Sequence, residues 1–310
     1  MSILPAVRSL ATLGLTLATL TFGQSEVSYR LLHRWGEPGT GPGQMMRPHG
    51  ITVDDQGNLL VTDRISSQVQ RFTPEGRFRG EIGKGLGSAP GHFHALSDVK
   101  LDAKGNIFVA DGGNHRVQVF TADGRFIRTF GSRGTGPGEL LGPHALVIGK
   151  DQRLYVAEDD NHRVSVFDHD GQFRSWWNDR QGGVRSWYKP HGMDCDLDGN
   201  VFVCNFYLPC YKLTAEGKLL MVFVPPKPDA GFFIVHGLAT DQLGNVYLTT
   251  RDRSQRDRIV KFNKSGALVT SWSPPEGSQR LECIAVDRSG RIYVTVGEGN
   301  PGVEVYGQQQ

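Results

Sequence analysis

The chain has 310 residues and a formal net charge of +2 at pH 7, so no excess of charge directs it to nucleic acid or to an acidic membrane surface. Its 40 glycines, and the scarcity of stretches with helical periodicity, indicate many short strands joined by tight turns. Length alone would predict two domains, but internal repetition favours a single repeat domain over residues 24–310.

The N-terminal segment differs from the rest of the chain. Arg8 precedes an uncharged and largely apolar run from Ser9 to Phe22, and the small residue Gly23 follows it. This pattern predicts a secretory signal peptide at residues 1–23, with an uncleaved anchor as the alternative. We therefore expect a secreted or periplasmic protein that has no membrane span after cleavage.

A turn followed by a short apolar strand recurs about every 47 residues. The glycine and asparagine of the turn adopt positive φ at low cost, which is typical of hairpins. The six copies are Gly57–Asp63, Gly105–Asp111, Gln152–Glu158, Gly199–Asn205, Gly244–Thr250 and Gly290–Val296. Two more strands follow in each unit, as in Arg116–Phe120 and Arg125–Phe130. Four antiparallel strands at this period predict one blade of a β-propeller.

The two chain ends predict how the propeller closes. The sixth unit stops after its third strand, Val303–Tyr306, whereas Tyr29–Gly36 has the pattern of a fourth strand without the preceding three. Joining the two completes a blade and removes a sheet edge. The sequence thus predicts an all-β, six-bladed propeller of four-stranded antiparallel blades, closed by the N-terminal strand.

The units resemble NHL repeats over residues 29 to 306. The resemblance rests on a Gly-rich segment, on a Gly-Asn turn and on an Asn-His-Arg segment. The copies that match most closely are Gly39–Gln44, Gly134–Glu139, Asn114–Arg116 and Asn161–Arg163. Such a resemblance implies the fold but says little about function. His115 and His162, in the Asn-His-Arg segments, are interpreted as structural parts of the repeat.

Four other histidines share a single repeat phase at the start of the first strand of their unit: His49, His144, His191 and His236. The equivalent positions in units two and six are Ser97 and Glu282. Because first strands surround the propeller axis, these side chains are expected to converge. His49, His144 and His236 come from alternate blades and are predicted to bind a divalent metal, most simply zinc, as a tripod.

His191 is expected beside that metal or on it, and Glu282 is expected to orient a ligand or a bound water. The alternative is that the histidines only form hydrogen bonds at a polar channel mouth.

The tripod resembles that of the catalytic core of peptidylglycine α-amidating lyase, in which zinc is held by histidines in Pro-His-Gly-like contexts. The segments that carry the likeness are Arg47–Gly50, Gly142–Ala145 and Val235–Gly237. The family implies cleavage of a peptidyl-α-hydroxyglycine to a peptide amide and glyoxylate. The chain departs from the family where that lyase has a catalytic tyrosine and an arginine. Those positions read Asp111–Asn114 and Glu158–Asp160 here.

Other side chains are predicted to replace them at the same end of the propeller. Arg64 and Arg251 follow second strands and are candidates to bind a substrate carboxylate. Tyr207, in the loop of unit four, is a candidate base. Cys204 and Cys210 flank that loop and are predicted to lie within disulfide reach, which an exported protein permits.

Three functions remain open from the sequence. The first is a secreted metal-dependent lyase that takes a small-molecule or peptide substrate at the axial mouth. The second is an oxygenase-like enzyme with iron(II) on four histidines. The third is a non-enzymatic extracellular binding module. A monomer without nucleic-acid partners is expected in each case.

Overall fold

The computed structural model of the chain describes residues 27–178, 188–207, 209–224 and 233–309. The predicted signal peptide lies outside these residues. The described residues form six four-stranded antiparallel sheets, which are the six blades of the predicted propeller. Two short strands pair in parallel before blade one, at Glu37–Pro38 and Gln44–Met45, and one turn of 3₁₀ helix spans Gly112–Asn114.

Each blade runs outward from its first strand to its fourth. The strands of blades one to three are Pro48–Val53, Leu59–Asp63, Gln68–Phe72 and Phe78–Ile82; Val99–Leu101, Ile107–Asp111, Arg116–Phe120 and Phe126–Phe130; and Pro143–Ile148, Leu154–Glu158, Arg163–Phe167 and Phe173–Trp177. Those of blades four and five are Pro190–Cys195, Val201–Asn205, Cys210–Leu213 and Leu219–Phe223; and Phe233–Thr240, Val246–Asp252, Asp257–Phe262 and Leu268–Trp272.

Blade six contains both ends of the described chain. Gln279–Val286, Ile292–Glu298 and Gly302–Gln308 are its first three strands, and Tyr29–Trp35 pairs antiparallel with the third. The backbone N–H of Gln309 donates to the carbonyl of Ser28 at 2.9 Å just beyond this pairing. The predicted closure by the N-terminal strand is confirmed.

The turns between first and second strands repeat one hydrogen-bonding scheme. In blade one, the Asp54 carboxylate accepts the backbone N–H of Gln56 and of Asn58, while Gly57 has a φ of 85°. Blade two repeats this scheme at Asp102 and blade five at Asp241. A short acidic side chain followed by glycine thus sets the hairpin that the repeat predicted.

Packing between neighbouring blades forms the core. In the contact between blades three and four, Tyr155 and Trp177 lie against Met193 and Val203. Because each interface buries such a cluster, apolar contacts between sheets hold the blades around the axis without any ligand there.

The Asn-His-Arg segments join each of two blades to the next. His115 and His162 have φ values of 55° and 52°. Nδ1 of each ring accepts the backbone N–H of the residue that directly precedes the first strand of the next blade, Gly142 and Lys189 respectively. Their contacts are those of structural residues. No helix within the described ranges is long and apolar enough to cross a membrane.

Candidate metal centre

A β-bulge turns each of the four phase-sharing histidines toward the axis. In blades one, three, four and five, the pairing register between the first two strands shifts at the histidine. The residue after the bulge is held in place. Thr62 Oγ1 accepts the Gly50 N–H, and Thr249 Oγ1 accepts the Gly237 N–H, each at 2.8 Å. A bulge breaks the alternation of the strand locally and re-aims one side chain.

The four histidines surround a small cavity of about 160 Å³ at one end of the axis. Its described lining consists of basic, acidic and aromatic side chains: Arg47, His49, Arg64, His144, Asp159, His191, Phe206, His236, Arg280 and Glu282. All four histidines are buried. We call this space the axial cavity.

The rings are close together, but the predicted tripod of His49, His144 and His236 is not a set whose ligand atoms all lie within 4.8 Å of one another in the described part of the chain. His144 stacks on His191 with ring centroids 3.5 Å apart, and His49 meets His144 edge-on at 4.9 Å. His236 lies 5.9 Å from His191. Among the described residues, the ligand atoms that all lie within 4.8 Å of one another belong to His144, His191 and Asp159. This set is the one whose geometry suits a shared ion.

The hydrogen bonds of the rings indicate which nitrogens are available. His49 Nδ1 lies 2.7 Å from the Ser97 carbonyl and His144 Nδ1 lies 3.2 Å from the His191 carbonyl. A carbonyl only accepts, so we assign the proton to Nδ1 in both rings, which leaves Nε2 with a lone pair. His236 has no hydrogen-bond partner at either ring nitrogen among the described residues.

Glu282 lies between two of the histidines and two arginines. Its Oε2 is 3.6 Å from His49 Nε2 and 3.5 Å from His236 Nδ1. Its Oε1 accepts hydrogen bonds from Arg280 at 2.7 Å and from Arg47 at 3.2 Å. The sequence predicted Glu282 near the metal ligands, and the structure brings it to the same cavity.

Burial and charge determine the protonation of these groups. Burial lowers the pKa of His49 to about 4 and that of His236 to about 3, against the opposing attraction of Glu282. Burial also lowers the pKa of His144 well below its usual value. These three imidazoles are therefore neutral at neutral pH, which is the form that binds a metal.

The two carboxylates respond in the opposite way. Burial alone would raise the pKa of Glu282, but His49, His236 and Arg280 outweigh it and hold the pKa below its usual range. Burial alone would likewise raise the pKa of Asp159, which His144 and His191 lower. Asp159 Oδ1 lies 3.2 Å from His191 Nδ1. Both carboxylates are ionised at neutral pH.

Arg64 extends from the end of the second strand of blade one into the axial cavity. Its guanidinium has no ion-pair partner within 4.0 Å and no hydrogen-bond partner among the described residues. Burial and the nearby Arg47 lower its pKa, while Glu282 and Asp159 oppose that shift. A partly buried arginine without a partner is suited to bind an anionic group of a ligand.

Two predicted residues lie elsewhere. Arg251 is not among the residues lining the axial cavity, because the second strand of blade five continues to Asp252 and keeps Arg251 in the sheet opposite Asp257. Its Nε is 3.6 Å from the Asp257 carboxylate. Tyr207 is 42% exposed and stacks on Tyr188, so the side chain that reaches the cavity from this loop is that of Phe206.

The Phe206 loop is closed by a disulfide. Cys204 and Cys210 are joined, with their Cα atoms 4.0 Å apart, opposite each other in neighbouring strands. Cys195 and Cys283 are free. The Phe206 ring contacts both His191 and His236, so the disulfide anchors one wall of the axial cavity.

The sequence interpretation missed Asp159, Phe206, Arg47 and Arg280. Asp159 and Phe206 occupy the repeat position of Arg64, directly after a second strand, so the phase argument applied to the histidines would have identified them. Arg47 and Arg280 both lie two residues before a position of the histidine phase, which is the corresponding signal for them.

Two family models match separate parts of the chain, and both agree with the propeller architecture. Residues 93–178 match a family model described as a 6-bladed beta-propeller, and residues 45–72 match the NHL repeat. The chain is a six-bladed β-propeller that contains an NHL repeat. The propeller shares 43% identity over 44 residues with protein lin-41 of Caenorhabditis elegans, and 41% over 44 residues with the E3 ubiquitin-protein ligase TRIM71 of Rattus norvegicus. These matches cover 14% of the chain and only 4–5% of those proteins.

Solved structures resemble the propeller over most of its length. Virginiamycin B lyase from Staphylococcus aureus aligns with a TM-score of 0.63 at 15% identity, over 90% of this chain and 99% of that one. A gluconolactonase from Xanthomonas campestris aligns with a TM-score of 0.62 at 15% identity, over 86% and 88%. A PQQ-bound aldose sugar dehydrogenase from Streptomyces coelicolor reaches 0.64 at 14% identity, over 91% and 98%. At these identities the likeness extends to the fold alone.

Proposed function

We propose that the propeller is a secreted, metal-dependent lyase that acts at the axial cavity on a small-molecule or peptide substrate, in the manner of the amidating lyase that its histidine segments resemble. The observation that carries this proposal is the set His144, His191 and Asp159, whose ligand atoms all lie within 4.8 Å. Two imidazoles and a carboxylate suit zinc, since catalytic zinc sites use three such ligands and leave a fourth position open.

The unpartnered nitrogens of His236 support the same proposal. A buried polar atom without a hydrogen bond is costly, and a ligand or an ion in the axial cavity would explain why both atoms lack a partner here. A metal held by His144, His191 and Asp159 would polarise a substrate oxygen and lower the pKa of its hydroxyl.

The residues around that set have separate tasks in the proposed reaction. Arg64 binds and orients an anionic group of the substrate, because its guanidinium has no protein partner. His236 is neutral and accepts the hydroxyl proton, and Glu282 at 3.5 Å stabilises the imidazolium. The C–N bond then breaks, the nitrogen of the leaving amide takes up a proton, and the hydroxyl carbon becomes a carbonyl.

An iron(II) oxygenase-like enzyme is the second candidate. Two histidines and one carboxylate are also the ligands of non-haem iron oxygenases, and the proximity of Asp159 to His144 and His191 favours this alternative over iron on four histidines. The two candidates differ in which metal restores activity to the stripped protein.

Export is a further element of the proposal. The segment at residues 1–23 has the pattern of a signal peptide, and the Cys204–Cys210 disulfide suits an oxidising compartment. Mass spectrometry of the mature N-terminus tests this. A start near Gln24 supports export, and an intact Met1 in the cytoplasm contradicts it.

Metal analysis of protein purified without chelator or polyhistidine tag tests the enzyme proposal. We expect about one zinc per chain, release of glyoxylate from an α-hydroxyglycine-extended peptide, and loss of both in Asp159→Asn. Asp160→Asn is the matched control, because Asp160 is 56% exposed beside the site. Iron in place of zinc would support the oxygenase. A folded protein that binds neither metal would leave only the extracellular binding module.

A further inference from the structure

A second cavity lies at the opposite face of the propeller, between blades five and six. Its volume is about 660 Å³, and it is lined by the turns at the far ends of the first strands and by the closing strand and the residues that pair with it. His236 lies within the first strand of blade five, whereas Asp241 follows the end of that strand, and no described residue lines both cavities. This cavity is therefore separate from the axial cavity. We call it the seam cavity.

A buried lysine lies in its wall. Lys261 is only 8% exposed, and its Nζ donates a hydrogen bond to Tyr29 Oη at 2.9 Å. The rings of Tyr29 and Tyr247 lie 5.5 and 5.2 Å from the ammonium. No carboxylate within the described residues comes within 4.0 Å of it. Of the three N–H donors of an ammonium, one has a hydrogen-bond acceptor.

The equivalent lysine in the neighbouring blade has the carboxylate partner that Lys261 lacks. Lys212 of blade four forms an ion pair with Asp196 at 2.8 Å, over the ring of Phe202. In blade five the ring position is Tyr247, and its hydroxyl donates to Asp241, the counterpart of Asp196, at 3.0 Å. The Tyr247 hydroxyl is therefore hydrogen-bonded to the Asp241 carboxylate, which would otherwise pair with Lys261.

This exchange leaves a positive charge facing a cavity. A buried ammonium without a counter-charge is costly, and cation–π contacts offset only part of that cost. The remaining surface of the seam cavity includes the side chains of Leu32 and Leu243, which are 42% and 77% exposed. A charged wall beside apolar side chains suits a ligand that has an anionic end and an apolar body.

The charges that line the seam cavity limit the charge of the ligand's anionic group. Arg288 and Arg291 also line the cavity, together with the carboxylates of Asp241 and Asp287. Arg288 is already paired with Asp55 at 2.6 Å, so Lys261 and Arg291 face the two carboxylates of the lining and the balance is close to neutral. A site without a large positive excess suits a monoanion better than a phosphate dianion, and Lys261 is its principal anchor.

We propose that the seam cavity binds a small organic carboxylate, with its carboxylate on Lys261 and its apolar body against Leu32 and Leu243. Tyr247 makes this site possible because it keeps Asp241 away from Lys261. The proposal does not depend on the chemistry of the axial cavity.

Calorimetric titration of the whole protein with 4-phenylbutyrate tests the proposal, with 4-phenylbutyramide and inorganic phosphate as matched probes. We expect the carboxylate to bind, and the amide and phosphate to bind at least about tenfold more weakly, since a charge-assisted hydrogen bond contributes about that factor. Lys261→Met should weaken carboxylate binding about tenfold. Lys264→Met, on an exposed turn of the same blade, should leave it unchanged.

A second variant guards against loss of folding. Tyr247→Phe reproduces the arrangement of blade four and frees Asp241 to pair with Lys261, so it should weaken carboxylate binding while the thermal unfolding midpoint is kept or raised. Equal binding of carboxylate and amide, or unchanged binding in a folded Lys261→Met variant, would overturn the proposal. If Lys261→Met does not fold, unchanged binding in Tyr247→Phe would overturn it.

Discussion

The axial cavity and a polar cluster at the first strands of blades two and four differ in how their buried groups are paired. In the polar cluster, Asp98 accepts the backbone N–H groups of Val99 and Leu146, and Lys100 lies 3.8 Å from it. Asp194 accepts from both the N–H and the hydroxyl of Thr240. We call Asp98, Lys100 and Asp194 the lower cluster.

Each member of the lower cluster has a hydrogen-bond or ion-pair partner, whereas among the described residues His236 has no hydrogen bond at either ring nitrogen and Arg64 has neither a hydrogen bond nor an ion pair at its guanidinium. Both regions are buried and polar, so polarity does not distinguish a ligand site from a structural one. Unsatisfied groups that line the same cavity favour a ligand site, because folding alone would not favour leaving them without hydrogen bonds.

Lys100→Met tests whether the lower cluster stabilises the fold, and it is expected to have the largest effect. It removes the cation near Asp98 and Asp194, whose pKa values burial already raises. We expect a loss of about 3 kcal/mol in the free energy of unfolding, since breaking a buried pair leaves an uncompensated charge. Urea unfolding measures this loss. Metal content should not change, and a variant that is fully stable but metal-free would reverse the assigned roles.

His144→Ala tests the other half. Removing a residue that is hydrogen-bonded to a metal ligand lowers metal affinity roughly 10–100-fold, and removing the ligand itself should lower it by more. The metal-free variant should unfold close to the metal-free parent, because the blades pack through apolar clusters. Elemental analysis and thermal unfolding give the two readings. His169→Ala is the control, since His169 pairs with Asp102 outside the axial cavity.

The buried histidines predict a pH dependence of the metal-free protein. In the unfolded chain their pKa is 6.5, whereas in the fold it is about 4 for His49 and about 3 for His236. Between these values the unfolded state binds more protons, so the free energy of unfolding falls as the pH drops from 6.5 toward 4. The slope is at most about 1.4 kcal/mol per pH unit for each histidine.

Urea unfolding at a series of pH values measures this slope. His49→Gln should reduce this slope by the contribution of one histidine. A free energy of unfolding that does not change with pH in the parent would contradict the lowering of the histidine pKa values by burial.

The same pKa shifts change the pH range expected for metal binding. Occupancy of a metal site would fall below about pH 6.5 with unperturbed histidines, whereas the lowered pKa of His144 should extend binding to more acidic conditions.

Arg64→Ala is expected to have the smallest effect of the four on stability and a selective effect on substrate. Removing an unpaired guanidinium costs the fold little, but it should weaken binding of an anionic substrate about tenfold. The measurement is KM against kcat for an anionic substrate and for its neutral amide. Arg79→Ala, on the exposed fourth strand of blade one, is the matched control. An equal loss for both substrates would contradict anion recognition.

Repeat phase made most of the architecture predictable. It gave the six blades, the closing strand and the four histidines, because residues at one phase of a propeller lie at one radius and height. It did not give side-chain direction. Arg64 and Arg251 share a phase, yet the longer second strand of blade five keeps Arg251 paired with Asp257. The stacking of His144 on His191 also depends on where two bulges fall.

The pairing of Tyr29–Trp35 with Gly302–Gln308 has a consequence for biosynthesis. Tyr29–Trp35 has to wait for its partner strand at the other end of the propeller, which takes tens of seconds at roughly 5–20 residues per second. Until then Tyr29–Trp35 exposes unpaired backbone, and a chain without Gly302–Gln308 has no ring to complete. The closing contact therefore forms only after the sixth blade has been made. It also leaves the two ends of the propeller side by side, so new termini opened in another turn and a short linker between Tyr29 and Gln308 should give a permuted propeller.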